Sequence, residues 1–196
     1  MDEKIRTATV DDAAQILKIY SYYVENTAIS FEWITPTLDE FILRIKNISK
    51  KYPYIVATRD EKIIGYAYAH EFVDRAAYDW SVETTIYLDK DERHKGVGKK
   101  LYTELENNLR EMGILNLYAK VAYTEIEDEY LTNASAKFHE HLGFKTVGKL
   151  KNCGNKFGRW YDMIVMEKII GEHFENPNGV KFYDKHCDFG NGENNS

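Results

Sequence analysis

The chain has 196 residues, of which 43% are hydrophobic and 30% charged, with a formal net charge of -6. That length suits one domain with one core. The acidic balance argues against a general nucleic-acid binder, which needs a broad basic surface. No apolar run reaches the roughly 18 residues of a membrane span.

The opening MDEKIR is charged and lacks the apolar core of a signal peptide, so a cytoplasmic location is expected. Cys153 and Cys187 show no metal or disulfide spacing and read as unpaired thiols. No His, Cys or Asp spacing suggests a metal site.

Lys4 to Ala8 reads as a strand. Thr9 with Asp12 offers a capped helix start, and Ala13, Ile16, Leu17, Tyr20 and Tyr23 repeat at helical spacing. Thr37 with Glu40 forms a second capping box, before the apolar stripe Phe41, Ile42, Ile45 and Ile48. Tyr54 to Thr58 and Lys62 to Phe72 read as strands joined by a tight turn, and Asp79 to Leu88 as a third. Val97, Leu101, Leu105, Leu109 and Met112 line one face of a helix that Gly113 closes. Asn116 to Tyr123 is a strand, and Asn133 is placed to cap a helix from Ala134 to Leu142. Phe144 to Leu150 and Arg159 to Lys168 supply the last strands. Trp160 reads as core, alternating with Met163 and Val165. The order predicts an α+β fold, a mixed sheet with helices on both faces. One domain spans 1–170. An extension, 171–196, follows, and its polar end is expected to be partly disordered.

The chemistry concentrates in IYLDKDERHKGVGKKLYTELE, Ile86 to Glu106. A helix N-terminus carries unpaired amides and partial positive charge. Gly96 and Gly98 let a ligand approach the backbone, and Arg93, Lys95 and Lys99 add charge. The result is a pyrophosphate-sized anion site. It lacks the spacing of a Walker loop and the third glycine of a dinucleotide fingerprint.

Arg93-His94-Lys95-Gly96-Val97-Gly98 resembles the R/Q-x-x-G-x-G/A signature of the GNAT superfamily of N-acetyltransferases. ASAKFHEHLGF (134–144) is similar to that superfamily's later helix. RAAYDWSVETTIYL, NASAKFHEHLGF and KFGRWYD resemble its phosphinothricin acetyltransferase-like subfamily. The resemblance implies the GNAT fold and acetyl-CoA as co-substrate. The pyrophosphate would rest on amides of Arg93, His94, Lys95, Gly96, Val97, Gly98 and Lys99. The pantetheine arm would lie along Thr85, Ile86, Tyr87 and Leu88, on a strand that is bulged in the family. Asn133 would touch the cofactor or only cap its helix.

Strand alternation puts Glu83 on the face opposite Val82, Thr84 and Ile86. The resemblance makes it the base that takes the acceptor's proton, directly or through a water. His139 stands where many members of the superfamily have a tyrosine at the thiol, and an imidazole could bond the sulfur or shuttle a proton. The backbone N–H near Ile86 is the expected oxyanion donor. Phe31, Arg75 and Tyr78 match positions near the acceptor, where an arginine clamps a carboxylate. Trp160 and Asp162 are expected to be structural.

These resemblances imply acetyl transfer to the amino group of a small amino-acid-like acceptor, of the phosphinothricin or methionine sulfone/sulfoximine type. Another amine (a protein N-terminus or a polyamine) and a non-catalytic acyl-CoA-binding module stay open. A homodimer is expected.

Overall fold

The computed structural model describes residues 3–93 and 95–183. Its regular elements are β1 (Glu3–Thr7), α1 (Ala13–Asn26), α2 (Leu38–Ser49), β2 (Tyr54–Arg59), β3 (Lys62–Glu71), β4 (Ser81–Leu88), α3 (Val97–Met112), β5 (Asn116–Tyr123), α4 (Ala134–His141), β6 (Lys145–Lys156) and β7 (Arg159–Ile169). Short 3-10 turns precede α1, β4 and α3.

Local chemistry sets the helix starts. Thr37 N–H donates to Glu40 Oε2 at 2.8 Å, and Glu40 N–H returns to Thr37 Oγ1 at 3.3 Å. Asp12 accepts from Thr9 N–H at 2.8 Å and from both terminal nitrogens of Arg6 at 2.7 Å. That tie joins β1 to the start of α1. At the far end of α3, Gly113 N–H donates to Arg110 O and Ile114 N–H to Leu109 O, which closes the helix.

The strands form one sheet in the order β1-β2-β3-β4-β5-β7-β6. Every neighbouring pair is antiparallel except β4 with β5. Helices α1 and α2 cover one face, where Ile16, Tyr20, Phe41 and Ile45 pack on Tyr54, Val56 and Tyr66. On the other face α3 lays Val97, Leu101, Leu105 and Leu109 over Val82, Leu117 and Met166. Those four α3 residues have no exposure, and each full burial contributes about 1.5–3 kcal/mol. Helix α4 packs on the same side through Ala136 and Phe138.

β6 continues six residues past the predicted end at Leu150. Asn152-Cys153-Gly154-Asn155 has low strand propensity, and the hairpin holds it in the sheet. Its pairing with β7 runs to Lys156–Arg159 across register shifts at Thr146/Gly148 and Leu150/Gly154. The same hairpin corrects the reading of Trp160, which is 65% exposed. Trp160 lies opposite in parity to Met163 and Val165 on the strand, so it never shared their face. Asp162 is structural, accepting from Asn152 N–H at 2.8 Å and pairing with Lys149 at 2.8 Å.

Beyond β7 the chain packs on its own domain as far as Tyr183. Lys181 N–H donates to Met112 O, Tyr183 N–H to Lys51 O, and Trp80 Nε1 to Asn178 O. Cys187 and the rest of the extension lie outside the described residues.

Because Leu105 is wholly buried at the centre of the α3 stripe, Leu105→Ala should destabilise the fold by about 3 kcal/mol. Urea melts should show a lower midpoint with an unchanged slope.

Candidate active site

Parallel pairing between β4 and β5 covers three residues: Ser81 with Asn116, Val82 with Leu117 and Glu83 with Tyr118. Past Glu83 the two strands separate. The last tie is Thr84, whose Oγ1 donates to Tyr118 O at 3.0 Å and contacts the Tyr102 hydroxyl. The β3–β4 register runs unshifted from Gly65–Leu88 to Glu71–Val82. The expected bulge in β4 is therefore absent from that ladder, and the splay from β5 makes the opening instead. From Thr85 on, the β5-facing edge of β4 has no strand partner, and exposed peptide groups on such an edge can pair with an extended ligand. One group is already engaged: Leu88 O accepts from the Tyr23 hydroxyl at 2.6 Å.

β4 delivers the chain to the start of α3. Gly96 is the residue before that helix, with φ 83°, a left-handed conformation open to glycine at little cost. It offers no side-chain acceptor, so the first amides of α3 have no side-chain cap. Gly98 also has a packing task. It is buried, and a Cβ there would stand 3.2 Å from the Phe138 ring and 3.3 Å from Leu88. Its missing side chain lets α4 and β4 close on the helix start. Around this turn, Arg93 stacks over the Tyr23 ring at 5.3 Å, Lys95 pairs with Glu92 at 3.3 Å, and Lys99 is exposed. His94 lies outside the described residues. An uncapped helix start beside an unpaired strand edge fits an acyl carrier with a phosphate end and an amide-bearing arm.

The splay opens a cavity of about 300 Å³ that reaches both faces of the sheet. One end is lined by Phe41, Arg44 and Tyr68. The middle is β4 from Glu83 to Tyr87, and the other end reaches Ser135 and His139 of α4. Glu83 therefore stands where the strands part. Its side chain is 13% exposed, pairs with Lys120 Nζ at 2.7 Å, and lies 3.9 Å from His70 Nε2. Lys120 and His70 were not identified from the sequence. Each is on a strand adjacent to β4, and only the sheet order brings them together.

His139 is 4% exposed, enclosed edge-on by the rings of Tyr102, Phe138 and Phe144. Its Nδ1 lies 2.8 Å from Ser135 O, which requires a proton on Nδ1 and leaves the lone pair on Nε2. Burial lowers its pKa, with the Ser135 carbonyl opposing, so the ring is neutral near pH 7. A neutral imidazole on the cavity wall can accept a hydrogen bond or a proton.

The other sequence candidates fall elsewhere. None of Phe31, Arg75 and Tyr78 lines the cavity. Phe31 packs over Gly154, where its ring leaves no room for a Cβ. Arg75 and Tyr78 sit on the exposed loop before β4, with Tyr78 edge-on to Phe72. Asn133 makes no capping bond to α4. Its Nδ2 donates to Thr124 O at 2.9 Å and its Oδ1 accepts from Thr124 N–H at 3.3 Å. The side chain thus clips the end of β5 to the start of α4. Among the described residues no group of His, Cys, Asp and Glu side chains is arranged to hold a metal.

Residues 5–165 match the acetyltransferase (GNAT) domain. The chain is 34% identical over 167 residues to the phosphinothricin N-acetyltransferase of Alcaligenes faecalis, covering 85% of this chain and 82% of that protein. It is 32% identical over 169 residues to the L-methionine sulfoximine/L-methionine sulfone acetyltransferase of Pseudomonas aeruginosa, covering 85% and 94%. A solved phosphinothricin acetyltransferase from Sinorhizobium meliloti, in complex with AcCoA, superposes with a TM-score of 0.83 at 34% identity, covering 93% of this chain and 99% of that one. With its family match over most of the chain and a relative at 34% identity, this chain belongs to the GNAT family of acetyltransferases.

Proposed function

We propose that this N-acetyltransferase moves the acetyl group of acetyl-CoA to the amino group of a small amino-acid-like acceptor, of the phosphinothricin or methionine sulfone/sulfoximine type. One observation carries the reading. The parting of β4 from β5 puts an open strand edge, Glu83 and His139 on one cavity, next to the uncapped start of α3. The relatives' printed activities supply the acceptor class.

When bound, the co-substrate supplies an activated thioester carbonyl. The amides at the start of α3 hold its phosphates, with Lys99 exposed beside them. The free edge of β4 orients the arm, and the N–H near Ile86 faces the carbonyl oxygen as charge grows there. Glu83 accepts the acceptor's ammonium proton, directly or through water, while Lys120 at 2.7 Å aims the carboxylate. His139, held by Ser135 O, has its lone pair on Nε2, which takes the second proton of the attacking amine as the amide forms and hands it to the departing sulfur. Binding both reactants in one cavity removes most of the entropic cost of their encounter.

The proposal keeps a cytoplasmic homodimer. Cys153 is a free thiol, as in a reducing compartment. Trp33, Ile34 and Trp160 are 70%, 83% and 65% exposed, apolar area suited to a partner copy.

Glu83→Gln should lower kcat on methionine sulfone by roughly 100- to 1000-fold and leave the KM for acetyl-CoA nearly unchanged. Thiol release measures both, and full activity in the variant removes Glu83 from the role of base. If the wild type acetylates peptide N-termini or polyamines but no amino acid, the acceptor class is wrong.

His139 also predicts a pH effect on stability. Above the 6.5 of a free imidazole both states are neutral. As pH falls below that value the unfolded chain gains a proton that the folded chain resists, so stability is lost on acidification. His139→Gln should remove this component. Urea melts at pH 7.5 and 5.5 should show the wild type losing more than the variant, by at most about 1.4 kcal/mol per pH unit.

A further inference from the structure

Resting on the proposed function, we propose that Lys120 is a self-acetylation site: with no free acceptor present, its ε-amine receives the acetyl group of acetyl-CoA. An amine becomes a nucleophile where it meets the base that deprotonates it. Lys120 Nζ lies 2.7 Å from Glu83 Oε2. The chain's own ammonium thus stands at the carboxylate that the proposed function assigns to the acceptor's ammonium. Among the described residues that line the cavity, Lys120 alone carries a primary amine.

Sheet geometry brings that amine to the parting of the strands. The last ladder pair is Glu83 with Tyr118. Lys120 is two residues further along β5, so strand parity puts it on the face of Tyr118 and of Glu83. An unbroken parallel ladder would seat it beside Thr85, the first residue of the free β4 edge. Its side chain is 41% exposed, on a flexible four-carbon stem. His70 Nε2 lies 3.9 Å from the other oxygen of Glu83 and leaves Oε2 to Lys120. Arg44, the other strong cation on the cavity wall, pairs with Glu32 at 2.7 Å, and a guanidinium that stays protonated is no nucleophile.

The step balances. Glu83 takes one proton from the Lys120 ammonium. The freed lone pair of Nζ forms a bond to the acetyl carbonyl carbon, and the carbon–sulfur bond breaks. A second proton passes through His139 to the departing sulfur, and the third stays on the new amide nitrogen. The products are an ε-acetyllysine, a free thiol and a proton that Glu83 returns to solvent. Acetylation removes the positive charge of Lys120. The ion pair with Glu83 is lost, and the acetyl group occupies the amine end of the cavity. Self-acetylation and acceptor turnover therefore compete for one base.

The test incubates the full chain with acetyl-CoA alone, reads the intact mass and maps the acetylated peptides. Lys120 should be modified at least about 100-fold faster than the exposed Lys18 and Lys46, because proximity and a positioned base act only on Lys120. The rate constant should not depend on protein concentration, and methionine sulfone should suppress the label. Lys120→Arg keeps a cation beside Glu83 without a nucleophilic amine, and should lose the fast phase. Glu83→Gln should slow labelling of Lys120 roughly 100-fold. Peptide mapping of the wild type locates the site directly, whether or not a variant folds. Three results overturn self-acetylation alone, in a chain that acetylates methionine sulfone: Lys120 labelled no faster than Lys18, a rate that rises with protein concentration, or labelling indifferent to Glu83→Gln. Absence of both the label and thiol release with any amine overturns the proposed function as well.

Discussion

The site depends on where the β4–β5 ladder stops. Three paired residues are enough to keep β4 in the sheet, because β3 pairs with it from Val82 to Leu88. β5 in turn is anchored by eight pairs to β7. The two halves therefore stay attached while their inner edges part. The opening has a standing cost. A buried peptide group without a partner costs about 1–3 kcal/mol, against about 0.5–1.5 kcal/mol gained for a typical bond made. The parting borders a cavity of about 300 Å³, with room for a partner to those groups. An extended, amide-bearing ligand is the kind of partner such an edge can pair with.

What keeps the two edges from zipping is side-chain packing on both faces. On one face the rings of Tyr102, Phe138, His139 and Phe144 meet edge-on near the parting point. On the other, Tyr20, Tyr23 and Tyr66 each meet the ring of Tyr87. Closing the ladder would force one of these clusters to repack, and close-packed interiors resist such changes. Thr84 reinforces the geometry, since its hydroxyl serves both Tyr118 O and the Tyr102 hydroxyl. The same tyrosines make the walls electrically quiet. Burial holds Tyr54, Tyr66 and Tyr87 well above the usual phenol range and moves Tyr68 to about 12. The charges in the cavity are then few, and each one has directional weight.

Much of this was legible in the sequence, for a physical reason. Helix starts, the α3 stripe, the strand parity of Glu83 and the place of His139 are local properties, written within a few residues. Capping at Thr37 and the conformation at Gly96 depend only on neighbouring chemistry. The misjudged features depend on distant chain. Asn133 had the right type and place for a helix cap, but the backbone of Thr124 claimed its amide. Asn152 to Asn155 looked like coil and became strand because β7 lies beside it. Trp160 was a parity error that its own strand could have exposed. Gly98 has, besides the ligand contact read from its motif, a packing reason in a ring from α4, about 40 residues on, that the local sequence does not show.

The same distinction separates the two halves of the site. The carrier half of the proposed site is one continuous stretch, Thr85 to Lys99, and its donors are main-chain groups at a strand edge and a helix start. Backbone geometry of that kind leaves a short motif, so the family can be read from it. The acceptor half of the proposed site draws on cavity-lining side chains from α1, α2, β3, β4 and β5. Its members are separated by up to about 100 positions along the chain and share no spacing rule. Arg44 looks like any solvent-facing residue of an amphipathic helix until the sheet places it over a cavity. Lys120 looks like the polar phase of a strand until β4 brings Glu83 alongside. Changing one such residue alters charge complementarity without touching the carrier motif, so acceptor choice can diverge among proteins that keep the same reaction.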